Sequence, residues 1–514
     1  MTSEFFGNPL EEHNGNGKAA APCIMVIFGA TGDLTGRKLL PALYNLASDG
    51  QLPAHFACVG FARRDKTHGV FQQEMFDAIN CFSRTKPDQA LWDSFKNQLY
   101  YHRSEFDDDQ GYEALKHFLD ELDKKYDTKG NRVFYLSTQP SFFPTIIEKL
   151  HKHKLVYPIG SDQNAWSRVI IEKPFGNDLK SAIDLQQQIS QYLDESQIYR
   201  IDHYLGKETV QNLLVLRFSN PIFESVWNNR YIDHMQITVS EEIGIGTRGH
   251  FFEEAGMLRD IVQNHVMQLL SLVAMEPPTN LSAHAIHDEK VKVLESIRPI
   301  PLDNFDAHVV RGQYGPGFIN GTAVCGYRQE NNVPPDSSVE TYVALELFID
   351  NWRWSGVPIY LRAGKRLPKR ATEIAISFKQ APPGCLFHMI DKPIESNILV
   401  IRIQPDEGIS LKMNCKVPGL NGPIQPVKMD FRYSSHFGMT PPEAYERLLC
   451  DCMAGDGTLF ARVDEVLASW KLLTPVLERW QTSKADFPNY EAGSWGPEAA
   501  DKMLSKSNRK WRLI

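Results

Sequence analysis

A short apolar run, Cys23-Ile24-Met25-Val26-Ile27-Phe28, passes without a break into Gly29-Ala30-Thr31-Gly32-Asp33-Leu34-Thr35-Gly36-Arg37-Lys38. No other stretch restricts the fold as much. A continuous apolar run of this length suits a strand buried on both faces, as in a parallel sheet. Leu39, Leu40, Leu43 and Leu46 then follow at helical spacing. Strand, glycine turn and helix make the first unit of a doubly wound, Rossmann-type fold, whose glycines let the backbone approach a pyrophosphate at the helix N-terminus. The spacing is G-x-x-G-x-x-x-G rather than G-x-G-x-x-G, so a glycine-rich turn without a ligand is the plain alternative.

Phe56-Ala57-Cys58-Val59-Gly60-Phe61-Ala62 reads as the second strand. In NAD-specific folds an acidic residue near its end takes the ribose 2′-hydroxyl. Here Arg63 and Arg64 stand there, two guanidinium groups suited to a 2′-phosphate, and this favours NADP. Asp65 follows directly and is able to pair one of them. Residues 69–130 read as helical and polar. Arg132–Leu136 is expected as the third strand and Arg168–Ile171 as the fourth, ending in Glu172-Lys173-Pro174-Phe175-Gly176. Ligands of doubly wound sheets collect at the carboxyl ends of strands, which places Lys173 within reach of cofactor and substrate. A helix of roughly 16 residues follows, with Leu179, Ile183, Ile189 and Leu193 as its apolar stripe.

Next comes Arg200-Ile201-Asp202-His203-Tyr204-Leu205-Gly206-Lys207-Glu208. Imidazolium, phenol, ammonium and a permissive glycine suit a phosphate, whereas Asp202 would repel one. Asp202 fits better as a carboxylate that orients a base or stabilises a cation. The bland alternative is a strand-to-helix loop whose polar groups cap the next helix.

At 514 residues the chain is long for one core, so two domains are expected. After residue 208 the pattern alternates, as in Tyr231–Glu241 with Met235, Ile237 and Val239 on one face. Further such runs at Tyr342–Ile349, Ile374–Phe378 and Ile398–Gln404 indicate an α+β domain with a mostly antiparallel sheet. The expected layout is a flexible leader over 1–22, a dinucleotide-binding domain over 23–200 and a larger α+β domain over 201–514. Such a broad sheet often supports association of copies.

Two more groups of residues suggest chemistry. Phe251–Leu270 reads as a buried helix that carries Asp260, Asn264 and His265, with Asp260 and Asn264 on one face. Burying them unpaired costs a few kcal/mol each, so a paired His265 is a candidate general base, with a satisfied core histidine as the alternative. Between Arg362 and Arg370, five cations (Arg362, Lys365, Arg366, Lys369 and Arg370) fall within nine positions, either a solvated basic loop or a second arm of an anion site.

The net charge of −8 argues against nucleic acid as a partner. Cysteines 23, 58, 81, 325, 385, 415, 450 and 452 show neither zinc spacing nor a disulfide framework, so no metal and a reducing compartment are expected. The N-terminal stretch lacks the basic start and apolar core of a signal peptide. No stretch approaches the roughly 20 apolar residues of a membrane span. A cytoplasmic protein with no membrane partner is the expectation.

Together these stretches resemble the glucose-6-phosphate dehydrogenase family from about residue 23 to the end. The marks are GATGDLTGRK at 29–38, EKPFG at 172–176, RIDHYLGKE at 200–208, RDIVQNH at 259–265, RAGK at 362–365 and PEAYERL at 442–448. RIDHYLGKE is the most specific of them. EKP is shared with other sugar oxidoreductases of the same two-domain plan.

The resemblance implies an NADP-linked oxidation of glucose 6-phosphate at C1 to the 1,5-lactone. It implies His265 as the general base and Asp202 as the carboxylate that holds it. His203, Tyr204 and Lys207 match the phosphate-binding group, while Lys173, Glu241, Asp260 and Lys365, with the nearby Arg370, match sugar-holding positions. Gly29, Ala30, Thr31, Gly32, Asp33, Leu34, Lys38 and Arg63, with Lys173, match the coenzyme site. A homodimer or homotetramer is implied as well. Many eukaryotic members hold a second, structural NADP. Here Ala371, Ala375 and Ser410 replace matching positions although Arg402, Gln404, Lys412 and Asp430 remain, so a tight second NADP is not expected. Phe143 replaces a tyrosine found near the coenzyme in some members. Two rivals are a dehydrogenase of an unphosphorylated sugar, which would not need the His203-Tyr204-Lys207 group, and a non-catalytic NADP-binding regulator, which would not need His265 and Asp202.

Overall fold

The structure, a computed structural model, describes residues 20–158, 165–382, 394–419, 423–437 and 441–514. Most of the expected leader and Cys385 lie outside the described residues. Its last residues are packed: Ala20 is buried, and Asn131 Nδ2 donates to Pro22 O at 2.8 Å. The chain forms two compact units, the first from Met1–Lys207, Pro278–Asp288 and Pro442–Leu467, the second from Glu208–Pro277, Glu289–Pro441 and Ala468–Ile514. The sequence reading divides the chain once, after residue 200, whereas the folded chain returns twice to the first unit.

The first unit is built on β1 (Cys23–Phe28), β2 (Phe56–Ala62), β3 (Leu99–Arg103), β4 (Arg132–Leu136), β5 (Ser167–Ile171) and β6 (Ile198–Ile201). The sheet order is Phe460–Ala461, β6, β5, β4, β1, β2, β3. Phe460–Ala461 runs antiparallel to β6, and the other neighbours are parallel. Chain order reverses about β1, so a crevice opens at the carboxyl ends of β1 and β4, where doubly wound folds take ligands. Every residue of β1 is fully buried, as its unbroken apolar run requires.

Three strands of this sheet escape the sequence reading. Leu99-Tyr100-Tyr101-His102-Arg103 lies within the stretch expected to be helical, because its polar residues mask a strand at the sheet edge. Ile198–Ile201 forms the front of the central polar run, and Phe460–Ala461 comes from the tail. The helix after β5 is shorter than expected, Leu179–Ile189. Asp178 starts it with a reciprocal cap, accepting from Ser181 N at 2.7 Å. Ala182 and Ile189 are its buried contacts, whereas Ile183 is exposed.

The second unit holds an eight-stranded sheet. Its order is Ile424–Arg432, Gly408–Lys416, Ile398–Gln404, Ala371–Phe378, β7 (Ile232–Ser240), Ile359–Gly364, Tyr342–Leu347 and β8 (Val309–Gly312). All neighbours are antiparallel except β7 and Ile359–Gly364. β7 is not half-buried as its alternation suggests, since Gln236, Thr238 and Ser240 are buried too. The chain's last residues cover that face. Gln236 Nε2 donates to Lys510 O at 2.9 Å and its Oε1 accepts Arg512 N at 2.8 Å. A strand reading cannot anticipate a polar face satisfied by a segment more than 250 residues downstream. Among the described residues no helix is long and apolar enough to cross a membrane, and the seven described cysteines are free thiols.

Candidate active site

The glycine turn after β1 is shaped by close packing. Gly29 has φ 82°, and a Cβ there would lie 2.2 Å from Ser137 O, so only glycine fits. Gly32 N donates to Gly29 O at 2.9 Å and closes the turn. The chain then winds as a π-turn over Thr35–Leu39 and an α-helix over Leu40–Ser48. Ala30 is buried, Thr31 and Leu34 are half-buried, and Gly32 and Asp33 are exposed at the tip. Gly60 of β2 makes room for Ala30, because a Cβ at Gly60 would approach Ala30 Cβ to 2.8 Å. Sequence reasoning missed this role, although a glycine inside an apolar strand signals close approach. Lys38 pairs with Glu443 at 2.7 Å.

Arg63 and Arg64 are exposed just past β2. Asp65 pairs with neither; its partner is Arg103 at the end of β3, 3.1 Å away. The rival claim on the two arginines is thereby answered by a strand the sequence did not reveal.

Glu172 and Lys173 follow β5, with the Lys173-Pro174 peptide cis. Glu172 Oε1 accepts from Tyr135 Oη at 2.5 Å and from Tyr445 Oη at 3.3 Å. Burial pushes the Glu172 carboxyl above the usual carboxylate range, against the two phenol donors and the Lys173 charge. Neither Glu172 nor Tyr445 was among the expected site residues.

Asp202 lies buried directly after β6, and its Oδ1 accepts Tyr204 N at 2.9 Å. Leu205 N donates to Asp202 O at 3.0 Å and Lys207 N to Tyr204 O at 3.2 Å, which folds the run into consecutive tight turns. Lys207 Nζ sits 5.3 Å from the centroid of the Tyr204 ring. His203 meets Tyr204 edge-on at 5.1 Å and lies parallel to Tyr445 with centroids 6.3 Å apart. Gly206 abuts the Ala444–Ala454 helix, where a Cβ would come within 2.7 Å of Ala444 O. Arg200 turns away to Glu195 and Gln186. The first unit therefore gathers Asp202, His203, Tyr204 and Lys207 in one loop.

In the second unit, the segment expected as one buried helix is interrupted. Gly256 breaks it with φ 65° and ψ 176°, and Leu258–Val266 is π-helical. Glu340, itself buried, accepts Leu258 N through Oε1 at 3.0 Å, while its backbone oxygen accepts Met257 N at 3.1 Å. The widened helix changes the expected face. In an α-helix five residues turn His265 well away from Asp260, whereas i→i+5 geometry brings the two positions to the same side. Asn264 is occupied locally, accepting from His265 N at 2.6 Å and donating to Arg259 O at 3.2 Å. His265 is buried and Asp260 half-buried.

Glu241 and Lys365 extend the parallel pair β7 and Ile359–Gly364 and form an ion pair, with Lys365 Nζ also 5.1 Å from the Phe252 centroid. The other four cations of that run do not join it. Arg362 is buried, donating to Thr238 Oγ1 at 3.0 Å between the rings of Trp495 and Trp511. Arg366 pairs with Glu330 at 3.3 Å, and Lys369 and Arg370 are exposed. The run is thus not one uniform solvated loop, because Arg362 lies inside the strand Ile359–Gly364 while the other four cations lie in the turn that follows it. Arg402 pairs with Asp430 at 2.8 Å, Lys412 with Glu395 at 2.6 Å, and Gln404 donates to Thr372. Phe143 and Ser410 are buried.

Residues 26–212 match the family model described as the glucose-6-phosphate dehydrogenase NAD binding domain, and residues 214–512 match the C-terminal domain of the same family. The chain is 59% identical over 501 residues to the glucose-6-phosphate 1-dehydrogenase of Chlamydia pneumoniae, covering 97% of each. It is 45% identical to that of Bacillus subtilis, covering 95% of this chain and 98% of the relative. A solved glucose-6-phosphate dehydrogenase in complex with its substrate glucose-6-phosphate superposes with a TM-score of 0.86 at 35% identity, over 96% of this chain and 99% of that one. The Mycobacterium avium glucose-6-phosphate 1-dehydrogenase gives a TM-score of 0.82 at 36% identity over the same shares. The chain belongs to the glucose-6-phosphate dehydrogenase family.

Proposed function

We infer that this protein is an NADP-dependent oxidoreductase that converts glucose 6-phosphate to 6-phosphoglucono-1,5-lactone, the first oxidative step of the pentose phosphate pathway. Family membership across both units carries this reading. The coenzyme fits the residues present: a glycine turn with an exposed tip follows β1, and Arg63 stands exposed where a 2′-phosphate requires a cation. NADP, when bound, supplies the hydride acceptor.

For the residues we propose the following roles. His265 takes the C1 hydroxyl proton as general base, and Asp202 steadies the resulting imidazolium. His203, Tyr204 and Lys207 hold the phosphate, a role supported by their gathering in one loop. Lys173, Glu241, Asp260 and Lys365, with Arg370, hold the sugar. Gly29, Ala30, Thr31, Gly32, Asp33, Leu34, Lys38, Arg63 and Lys173 meet the coenzyme. Hydride leaves an anomeric alkoxide more readily than an alcohol, and at neutral pH a positioned base makes that alkoxide.

The working form is a homodimer or homotetramer, in the cytoplasm. The outer strands Gly408–Lys416 and Ile424–Arg432 support association, because they expose Met413, Val427 and Met429 at the edge of a long sheet. The deciding assay follows absorbance at 340 nm with glucose 6-phosphate or free glucose, each with NADP or NAD. Reduction chiefly with glucose 6-phosphate and NADP is expected. Comparable turnover of free glucose would return the loop after β6 to a structural role.

A further inference from the structure

The helix Ala444–Ala454 comes from the tail, which carries no catalytic signature in the sequence, yet it is tied to three functional stretches of the first unit. Glu443, at its N-cap, pairs with Lys38 of the glycine turn. Gly206 of the loop after β6 packs against its first turn. Tyr445 reaches furthest. Its hydroxyl donates to Glu172, the neighbour of Lys173, and its ring lies parallel to the His203 imidazole at an interplanar angle of 7°. Tyr135, on β4, donates to the same Glu172 oxygen and fixes it.

A histidine binds phosphate best as the imidazolium, with its N–H groups aimed in the ring plane. A parallel phenol at 6.3 Å, in the offset-stacked range, borders the imidazole and limits its rotation. We propose that Tyr445 is a positioning residue for phosphate recognition: its ring sets the plane of His203, and its hydrogen bond to Glu172 sets the ring. The proposal rests on the reading of His203 as a phosphate ligand.

Steady-state kinetics on Tyr445→Leu, Tyr445→Phe, His203→Ala and the double variant Tyr445→Leu/His203→Ala test it. Tyr445→Leu is expected to raise KM for glucose 6-phosphate on the order of three- to tenfold, with kcat and KM for NADP within about twofold. Tyr445→Phe, which keeps the ring and loses the anchor, should raise it about two- to threefold. In the His203→Ala background the leucine substitution should add nothing. An unchanged KM in Tyr445→Leu, or the same added factor without His203, overturns the proposal. If the leucine variant does not fold, Tyr445→Phe decides, and an unchanged KM there overturns it. An unaltered KM in His203→Ala instead removes the phosphate role of His203, a separate failure.

Discussion

Glu340 Oε1 accepts the amide of Leu258 at 3.0 Å, and this bond starts the π-helical turn that carries Asp260 and His265. Gly256 makes the bond possible. It has φ 65°, and a Cβ there would stand 2.5 Å from the same Glu340 oxygen. Gly256→Ala therefore meets backbone strain and a buried carboxylate already held by the Leu258 amide. We expect a loss of about 2–4 kcal/mol in stability. Chemical denaturation would measure it, and a variant within about 0.5 kcal/mol of wild type would refute the strain.

His265→Asn tests the base. General-base help is worth about 10² to 10⁴ in rate, so kcat should fall by that factor while KM for glucose 6-phosphate changes little. A variant within tenfold of wild type would assign proton removal to another group.

The local grouping of two candidate stretches was legible in the sequence, for identifiable reasons. Gly29 to Lys38 and Asp202 to Lys207 are each neighbours in the chain, so spacing alone groups them. β1 announced itself because each of its residues is buried. The partners that arrive from elsewhere were not legible: Glu340 for Leu258, Tyr445 for Glu172, and Arg103 for Asp65. Each pairs residues 38 to 273 positions apart, and no local pattern encodes such a pairing. The π-helix was hidden differently, since Phe251–Leu270 has helical apolar spacing and only the observed bonding distinguishes the wider turn.

Arg63→Ala tests coenzyme choice. Asp65 is held by Arg103, which leaves the Arg63 guanidinium outside that ion pair. Losing a charged hydrogen bond to a 2′-phosphate costs about 1.5–3 kcal/mol, so KM for NADP should rise roughly 10- to 150-fold. KM for NAD, which lacks that phosphate, should stay within about twofold. An equal loss for both coenzymes would place Arg63 in support of the fold or of the shared pyrophosphate.

The pH dependence of stability provides the last test. Burial raises the Glu340 carboxyl above its ordinary value, opposed by the Leu258 amide and by the charges of Arg259 and Arg311. The unfolded chain thus ionises at this position at lower pH than the folded one. Its favourable contribution is complete below the ordinary carboxylate value and is lost as pH rises through the raised one. Glu340→Gln keeps an oxygen for Leu258 N but does not titrate. Relative to this variant, wild type should lose stability as pH rises from about 4 toward the raised value, with a slope never above about 1.4 kcal/mol per pH unit. Urea unfolding of both proteins between about pH 4 and pH 8 measures the difference. A wild-type stability that stays constant or rises relative to the variant over that range would mean that the Glu340 carboxylate is favoured in the fold by the Leu258 amide and its two arginines.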